Sequence, residues 1–234
     1  MVCSYCNTGT YCSNQLTTEL FRTTSQPFLG DSVPTVLVTG FEPFDGFTIN
    51  PSEEVAKALD GKNIDEHSLV GLVLPLDYKN ALGILDEALE KHKPDYILCC
   101  GQANRAVITI ERIAINVLST KKPDNYDNTP ETDIINQEGP AAYFANLDPH
   151  VLVKLLKENE IPADVSYYAG AYGCNWLLYN VMQRIQYGNL GIRATFIHLP
   201  PIPPQAIQKD LMTLATMPLD MIIEALVTII KSLD

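Results

Sequence analysis

Short apolar runs rich in β-branched residues alternate with segments of helical periodicity, and this alternation constrains the fold more than any other feature of the chain. The runs are typical of buried strands and cover residues 35–40, 69–74, 95–101, 107–117, 164–169 and 193–198. Helical patterns begin near Asn50, Ala81, Asp148 and Asn175, and a last one closes the chain. The alternation predicts a single α/β domain with a twisted, mainly parallel mixed sheet and helices on both faces.

The composition excludes several kinds of partner. The chain has 234 residues and a formal net charge of −12. A charge of this sign repels phosphate groups and anionic lipids, so we expect neither nucleic acid nor a membrane surface as a partner. No apolar stretch reaches the length of about 18 residues that a membrane-spanning helix needs.

Residues 1–33 are expected to form a disordered N-terminal extension, and residues 34–234 a folded domain. The extension lacks the basic start and apolar core of a secretory signal, and a single basic residue, Arg22, gives little support to a transit peptide. We therefore expect a cytoplasmic protein. Cys3 and Cys6 have the spacing of metal ligands, but three cysteines and no histidine fall short of the four ligands of tetrahedral zinc, so we predict no metal site.

Cys174 is the strongest candidate for a nucleophile. It follows the predicted strand 164–169 after a glycine-containing turn, and Asn175 opens the next helix. Sites in such sheets gather at the carboxyl ends of strands. A helix N-terminus is predicted to lower the pKa of the thiol, and its free backbone N–H groups can stabilise an oxyanion. The alternative is a small buried apolar side chain, which we expect for Cys99 and Cys100.

His198 and Glu111 are candidates for the groups that activate this thiol. His198 ends a predicted strand before a proline-rich turn, and a thiol nucleophile needs a base such as its imidazole. Strand alternation predicts that the Glu111 carboxylate is buried, where it needs a partner. That partner is either a nearby arginine, Arg105 or Arg112, or His198, whose tautomer Glu111 would fix. The residues alone leave both interpretations open.

Several sequence blocks, in the same order along the chain, resemble the pyroglutamyl peptidase I family. These blocks are GFEPFDG at 40–46 with NPS at 50–52, ITIERIAIN at 108–116, PDN at 123–125, GPAAYF at 139–144, AGAYGCN at 169–175 and FIHLP at 196–200. The likeness runs from about Val36 to the C-terminus, and the N-terminal extension has no counterpart in it. Two departures stand out: Lys121 occupies the place of an arginine, and Asn104-Arg105 replaces a longer Gly-Gly-Arg segment.

The resemblance implies a phosphorylase/hydrolase-like domain that acts as a cysteine peptidase without a metal or cofactor. It implies a catalytic triad of Glu111, Cys174 and His198 and, as substrates, N-terminally pyroglutamylated peptides. It also implies a homo-oligomer. The residues that it assigns to a pocket for the flat lactam ring are Phe41, Phe44, Asn50, Gln102, Lys121 and Tyr172.

Two other functions are compatible with the same residues. A catalytically impaired relative would only bind pyroglutamyl ligands or a partner protein. Two features favour that interpretation: Lys121 replaces an arginine to which the resemblance assigns a role in stabilising the oxyanion, and the Asn104-Arg105 segment is shortened. A nucleoside phosphorylase on a similar scaffold would need a phosphate site built from arginines or glycine-rich backbone. The segment 101–105 offers little support for such a site.

Overall fold

The structure, a computed structural model, describes residues 33–119 and 121–234. The predicted disordered extension and its cysteine pair therefore lie outside the described residues, apart from the exposed Val33. Within the described part of the chain, no helix is both long and apolar enough to cross a membrane.

Seven strands of the described chain form one sheet in the order β2-β3-β1-β4-β9-β5-β8, and two more form a small separate sheet of β6 and β7. The strands are β1 (Thr35–Phe41), β2 (Asn63–Ile64), β3 (His67–Leu74), β4 (Tyr96–Gln102), β5 (Ile108–Glu111), β6 (Ile113–Ile115), β7 (Ala142–Phe144), β8 (Ala163–Ser166) and β9 (Arg193–Leu199). Four neighbouring pairs in the large sheet are parallel, whereas β2 with β3 and β5 with β9 are antiparallel. The predicted mainly parallel mixed sheet is confirmed.

Helices cover both faces of the large sheet, because alternate residues of its central strands feed two separate apolar cores. The helices are α1 (Pro51–Leu59), α2 (Ala81–His92), α3 (Pro149–Glu158), α4 (Gly173–Tyr187), α5 (Pro203–Gln208) and α6 (Leu219–Ile230). Ile197 of β9 packs with α1, α3 and α6, whereas its neighbour Phe196 packs with α2, α4 and the small sheet. Burial of these apolar side chains supplies the main favourable term for folding.

The predicted continuous strand 107–117 divides at Arg112 into β5 and β6, which belong to different sheets. The Arg112 backbone N–H still donates to Ser166 O of β8 at 2.7 Å. Its carbonyl accepts from Ala145 N, and its guanidinium donates to Ala145 O at 3.0 Å. The chain therefore changes partners at one charged residue, and Glu111 becomes the last residue of β5.

Candidate active site

Glu111 and His198 meet across the antiparallel pair of β5 and β9. His198 Nδ1 donates to Glu111 Oε1 at 2.7 Å, and the two side chains are 3% and 0% exposed. A carboxylate can only accept, so Nδ1 carries the proton and Nε2 keeps its lone pair. This tautomer leaves Nε2 available as a base.

Glu111 Oε1 has a second partner in Arg105. The guanidinium Nη1 lies 2.9 Å from Oε1, and the same nitrogen donates to Thr109 Oγ1. The two partners that the sequence left as alternatives, an arginine and His198, therefore bind the same oxygen atom. The other candidate, Arg112, donates to a backbone carbonyl instead. Glu111 Oε2 has no hydrogen-bond partner within the described residues.

Cys174 is the second residue of α4, which begins at Gly173, two residues before the predicted start. A Cβ atom built on Gly101 would lie 2.9 Å from Cys174 Sγ, so the thiol rests directly on β4. Gly101 is the register partner of His198 on the adjacent parallel strand β9. Register partners point to the same face of a sheet, which places the thiol and the imidazole on one face.

The expectation that Cys174 lies at the carboxyl end of its preceding strand needs a correction. That strand, β8, is parallel to β5, and β5 is antiparallel to β9, so β8 runs opposite to β4 and β9. The connection 167–172 brings Cys174 back to the strands that hold Gly101 and His198. The rule for carboxyl ends therefore holds for β4 and β9, but not for β8.

The protonation states also differ from the prediction for the thiol. Burial raises the pKa of Cys174 to about 12, and the Glu111 charge acts in the same direction. The Arg105 charge and the backbone N–H of Cys174 itself lower this pKa, but burial dominates. The prediction that the helix N-terminus lowers the pKa of this thiol is therefore wrong, because burial outweighs that effect.

The pKa values of His198 and Glu111 are both below their ordinary range. Burial lowers the pKa of His198, Arg105 acts in the same direction, and Glu111 opposes them. For Glu111, burial favours the neutral acid, but His198 lowers its pKa overall, with smaller contributions in the same direction from the nearby Ser166 hydroxyl and the Arg105 charge. The site therefore holds a neutral thiol, a neutral imidazole and a carboxylate.

Aromatic side chains lie beside the thiol. Phe41 is 2% exposed and belongs to the apolar cluster against which Phe44, Tyr172 and Cys174 pack. Tyr172 is the N-cap residue of α4, and its hydroxyl donates to Pro123 O at 2.6 Å. These aromatic faces next to a nucleophile are suited to a flat, uncharged ring.

Asn50 and Gln102 shape this region through contacts within the protein. Asn50 is fully buried; its Oδ1 accepts from Ser52 N at 3.0 Å and its Nδ2 donates to Glu42 O at 3.0 Å. Asn50 thus caps α1 and secures the loop that carries the two phenylalanines. Gln102 Oε1 accepts from Nε2 of the fully buried Gln205 at 2.8 Å, which joins β4 to α5.

Glu42 is a site residue that the sequence analysis did not single out. Its Oε1 accepts from Leu76 N at 3.0 Å and from Asn125 Nδ2 at 2.9 Å, and its Oε2 accepts from Tyr126 Oη at 3.1 Å. These bonds fasten the aromatic loop to the polar segment after β6. A charged residue between Phe41 and Pro43, in a loop whose one other charged residue is Asp45, is the signal that could have marked it.

Lys121, which the resemblance assigns to the pocket, lies in the same segment, between β6 and β7. Its backbone N–H donates to Ser119 Oγ at 3.3 Å. Within the described residues, its side chain makes no hydrogen bond to Glu111, Cys174 or His198. In the described part of the chain, the structure therefore brings together the predicted triad and the aromatic residues, but gives Lys121 no hydrogen bond to the triad.

This fold and site define a cysteine hydrolase built on an α/β sheet. Comparison with known proteins narrows that class, because a family model described as pyroglutamyl peptidase matches residues 34–233. The chain belongs to the pyroglutamyl peptidase family, and the resemblance found in its sequence blocks is confirmed.

Relatives and solved structures agree with this membership. The chain is 46% identical over 175 residues to a pyrrolidone-carboxylate peptidase of Bacillus licheniformis, covering 74% of this chain and 81% of that protein. It is 43% identical over 192 residues to the Bacillus subtilis protein of the same name, covering 82% and 88%. The crystal structure of pyroglutamyl peptidase I from Bacillus amyloliquefaciens superposes with a TM-score of 0.80 at 43% identity, covering 84% of this chain and 93% of that one. The pyrrolidone carboxyl peptidase from Thermococcus litoralis gives 0.81 at 37% identity, covering 85% and 92%.

Proposed function

We propose that this chain is a cysteine peptidase that hydrolyses the bond after an N-terminal pyroglutamate and releases free pyroglutamate. The observation that carries the proposal is the 2.7 Å hydrogen bond between His198 Nδ1 and Glu111 Oε1, with the Cys174 thiol on the same face of the sheet. In this proposal Cys174 is the nucleophile, His198 the base and Glu111 the residue that orients it. The names of the relatives supply the substrate class.

Recognition must rest on the lactam ring, because the substrate has no free α-amino group. Phe41, Phe44 and Tyr172 offer apolar faces to the ring, and a few polar groups fix its orientation. Asn50 and Gln102 contribute by holding the aromatic loop and the end of β4 in place.

Acylation begins from the neutral pair. His198 Nε2 takes the Sγ proton as the sulfur attacks the pyroglutamyl carbonyl carbon, and the carbonyl electron pair moves to its oxygen. Glu111 stabilises the imidazolium that forms. The backbone N–H groups of Cys174 and Asn175, in the first turn of α4, have no intrahelical acceptors and would donate to the oxyanion.

The rest of the cycle returns the site to its starting state. The oxyanion collapses, the C–N bond breaks, and the imidazolium gives its proton to the leaving amine. Water then gives a proton to His198 Nε2 and attacks the thioester. The thiolate leaves, recovers its proton from the imidazolium, and pyroglutamate is released.

The cytoplasmic location and the homo-oligomer also belong to this proposal. The nucleophile must stay reduced, and the cysteines of the described chain, Cys99, Cys100 and Cys174, are free thiols. Exposed apolar side chains such as Ile207 of α5 and Met212, which follows that helix, suit contact between copies of the chain. Light scattering of the purified chain would give the number of copies.

Release of a fluorescent amine from a pyroglutamyl conjugate tests the proposed activity, with an alanyl conjugate as the control substrate. We expect turnover of the pyroglutamyl conjugate alone, and its loss after treatment with iodoacetamide. If folded, reduced protein binds the conjugate without turnover, the catalytically impaired alternative replaces the peptidase. If it neither binds nor cleaves, the substrate class is wrong.

A further inference from the structure

Arg105 connects β5 with the segment that leads to Cys174. Its Nη1 lies 2.9 Å from Glu111 Oε1 and also donates to Thr109 Oγ1, while its Nη2 donates to Tyr168 O at 3.0 Å. Tyr168 lies in the connection between β8 and Cys174. One guanidinium thus contacts both the carboxylate that orients the base and the segment that carries the nucleophile.

The Glu111 carboxylate needs such a cation because it is buried. Its side chain is 0% exposed, and Oε2 has no hydrogen-bond partner among the described residues. A buried carboxylate without a compensating charge either becomes protonated itself or raises the pKa of a neighbouring base, which then carries the positive charge. Here the neighbour is His198, so an uncompensated Glu111 would favour a permanently charged imidazole that cannot act as a base.

We propose that Arg105 is a positioning residue for the reaction: it keeps Glu111 ionised beside a neutral His198 and ties that carboxylate to the segment leading to Cys174. This inference rests on the proposed peptidase function. The ionisable groups that act on His198 are Glu111 on β5 and Arg105 in the connection from β4 to β5, and Cys174 on α4 lies over Gly101, the register partner of His198. Arg105 is the one cation among these three groups.

A tight turn places Arg105 at this position. The Ala103 N–H donates to Leu199 O at 3.0 Å, which continues the contact of β4 with β9, and the Arg105 N–H donates to Ala103 O at 2.7 Å. The chain reverses within these residues, and the Arg105 side chain, 30% exposed, reaches back to the buried carboxylate. The shortened segment Asn104-Arg105 therefore still delivers a guanidinium to the triad.

The test is the dependence of kcat/KM on pH for Arg105→Gln and Arg105→Lys, measured with the pyroglutamyl conjugate. Removal of the cation raises the pKa of His198, because Arg105 acts to lower it. We expect Arg105→Gln to lose about 10- to 100-fold in kcat with little change in KM. We also expect its acid limb to move to higher pH, and Arg105→Lys to restore part of both losses.

Arg112→Gln is the matched control. Arg112 lies next to Glu111 in the sequence, but its guanidinium binds Ala145 O and stacks on the Phe144 ring at 4.7 Å. This variant should keep the wild-type pH profile. A loss in Arg105→Gln that is equal at every pH and not restored by lysine would show a merely structural contact and overturn the inference.

The same Arg105 substitution is then made in a Glu111→Gln protein. Because a neutral amide needs no compensating cation, loss of Arg105 should not destabilise this protein through an unpaired buried charge. Adding Arg105→Gln to Glu111→Gln should change kcat/KM by less than about twofold, since Arg105 acts through that carboxylate. A further large loss in the double variant would contradict the proposed route. Wild-type turnover separates the two proposals: if wild type is inactive the peptidase function fails, whereas an active wild type with an unchanged Arg105→Gln profile removes this inference alone.

Discussion

Helices α1 and α4 each press their first turn against a glycine near the carboxyl end of a central strand, yet their N-termini are built differently. A Cβ on Gly40 would lie 2.0 Å from Ser52 O of α1, and a Cβ on Gly101 would lie 2.9 Å from Cys174 Sγ of α4. At α1, the Asn50 side chain accepts from a first-turn N–H group. At α4, the N-cap residue Tyr172 makes no such hydrogen bond.

The difference separates a helix N-terminus that stabilises the fold from one that is left open for chemistry. Asn50 satisfies part of the backbone at α1, so that end has little capacity left for a ligand. At α4 the side chain in the first turn is a thiol, and the surrounding N–H groups remain free for an oxyanion. The same local architecture thus serves packing on one face of the sheet and the proposed reaction on the other.

The largest expected effect is the loss of activity in Cys174→Ala, which changes the first turn of α4 alone. We expect kcat to fall by about 10³-fold or more, because covalent catalysis is lost while the fold is kept. Turnover of the pyroglutamyl conjugate and a thermal melt would measure both effects. Cys100→Ala is the control: this buried cysteine packs in the core on the opposite face and should keep its rate. Comparable activity in Cys174→Ala would remove it as the nucleophile.

The two glycines should respond differently to an added methyl group. In Gly40→Ala the methyl group meets a helix backbone that cannot move aside, so we expect a loss of about 3 kcal/mol or more in the free energy of unfolding. In Gly101→Ala the close atoms are the ends of two side chains, the Cys174 thiol at 2.9 Å and the Phe196 ring at 2.7 Å, rather than a helix backbone. We expect a loss of about 1 kcal/mol there, but a large fall in kcat from the displaced sulfur.

Urea unfolding and steady-state rates of both glycine variants would give these numbers. A Gly101→Ala protein with a wild-type kcat would mean that the position of the thiol above β4 is not critical. A Gly40→Ala protein as stable as wild type would contradict the close approach of α1.

Much of this arrangement could be predicted from the sequence, where the controlling interactions are local. The strands, the start of α1 at Asn50 and the position of a cysteine at a helix start follow from residues close together in the chain. The division at Arg112 could not be predicted, because the change of partner depends on Ser166 and Ala145, far along the chain. The same holds for the hydrogen bond between Gln102 and Gln205, 103 residues apart.

The incorrect pKa prediction for Cys174 has a physical cause. The sequence shows a helix N-terminus, whose dipole favours the thiolate, but not the depth of burial, which favours the thiol. Burial dominates here. The partner of Glu111 stayed open for a related reason, since both Arg105 and His198 reach the same oxygen and neither contact excludes the other.

Asn50→Ala tests the capped N-terminus of α1, and we expect moderate effects on stability and on KM. Loss of the cap should lower the free energy of unfolding by about 1–2 kcal/mol. KM should also rise, because Asn50 Nδ2 no longer holds Glu42 O and the aromatic loop. Asp148→Ala is the matched control, since Asp148 caps α3 by accepting from His150 N at 2.9 Å. It should cost a similar stability and leave KM unchanged; an equal rise in KM would assign the effect to general destabilisation.

The pH dependence of the reaction at the N-terminus of α4, which has no side-chain cap, should show the smallest effect. A histidine with the ordinary pKa of about 6.5 is about three-quarters protonated at pH 6, which lowers a rate that needs the neutral base about fourfold from its plateau. Because burial lowers the pKa of His198, more of it stays neutral, and kcat/KM should fall by less than that between pH 8 and pH 6. Burial also raises the pKa of Cys174 to about 12, so alkylation by iodoacetamide should keep accelerating through pH 9 rather than reach a plateau. A fast, pH-independent alkylation at pH 6 would instead show a thiolate–imidazolium pair. The Cys174 sulfur at the N-terminus of α4 would then be negatively charged before substrate binds.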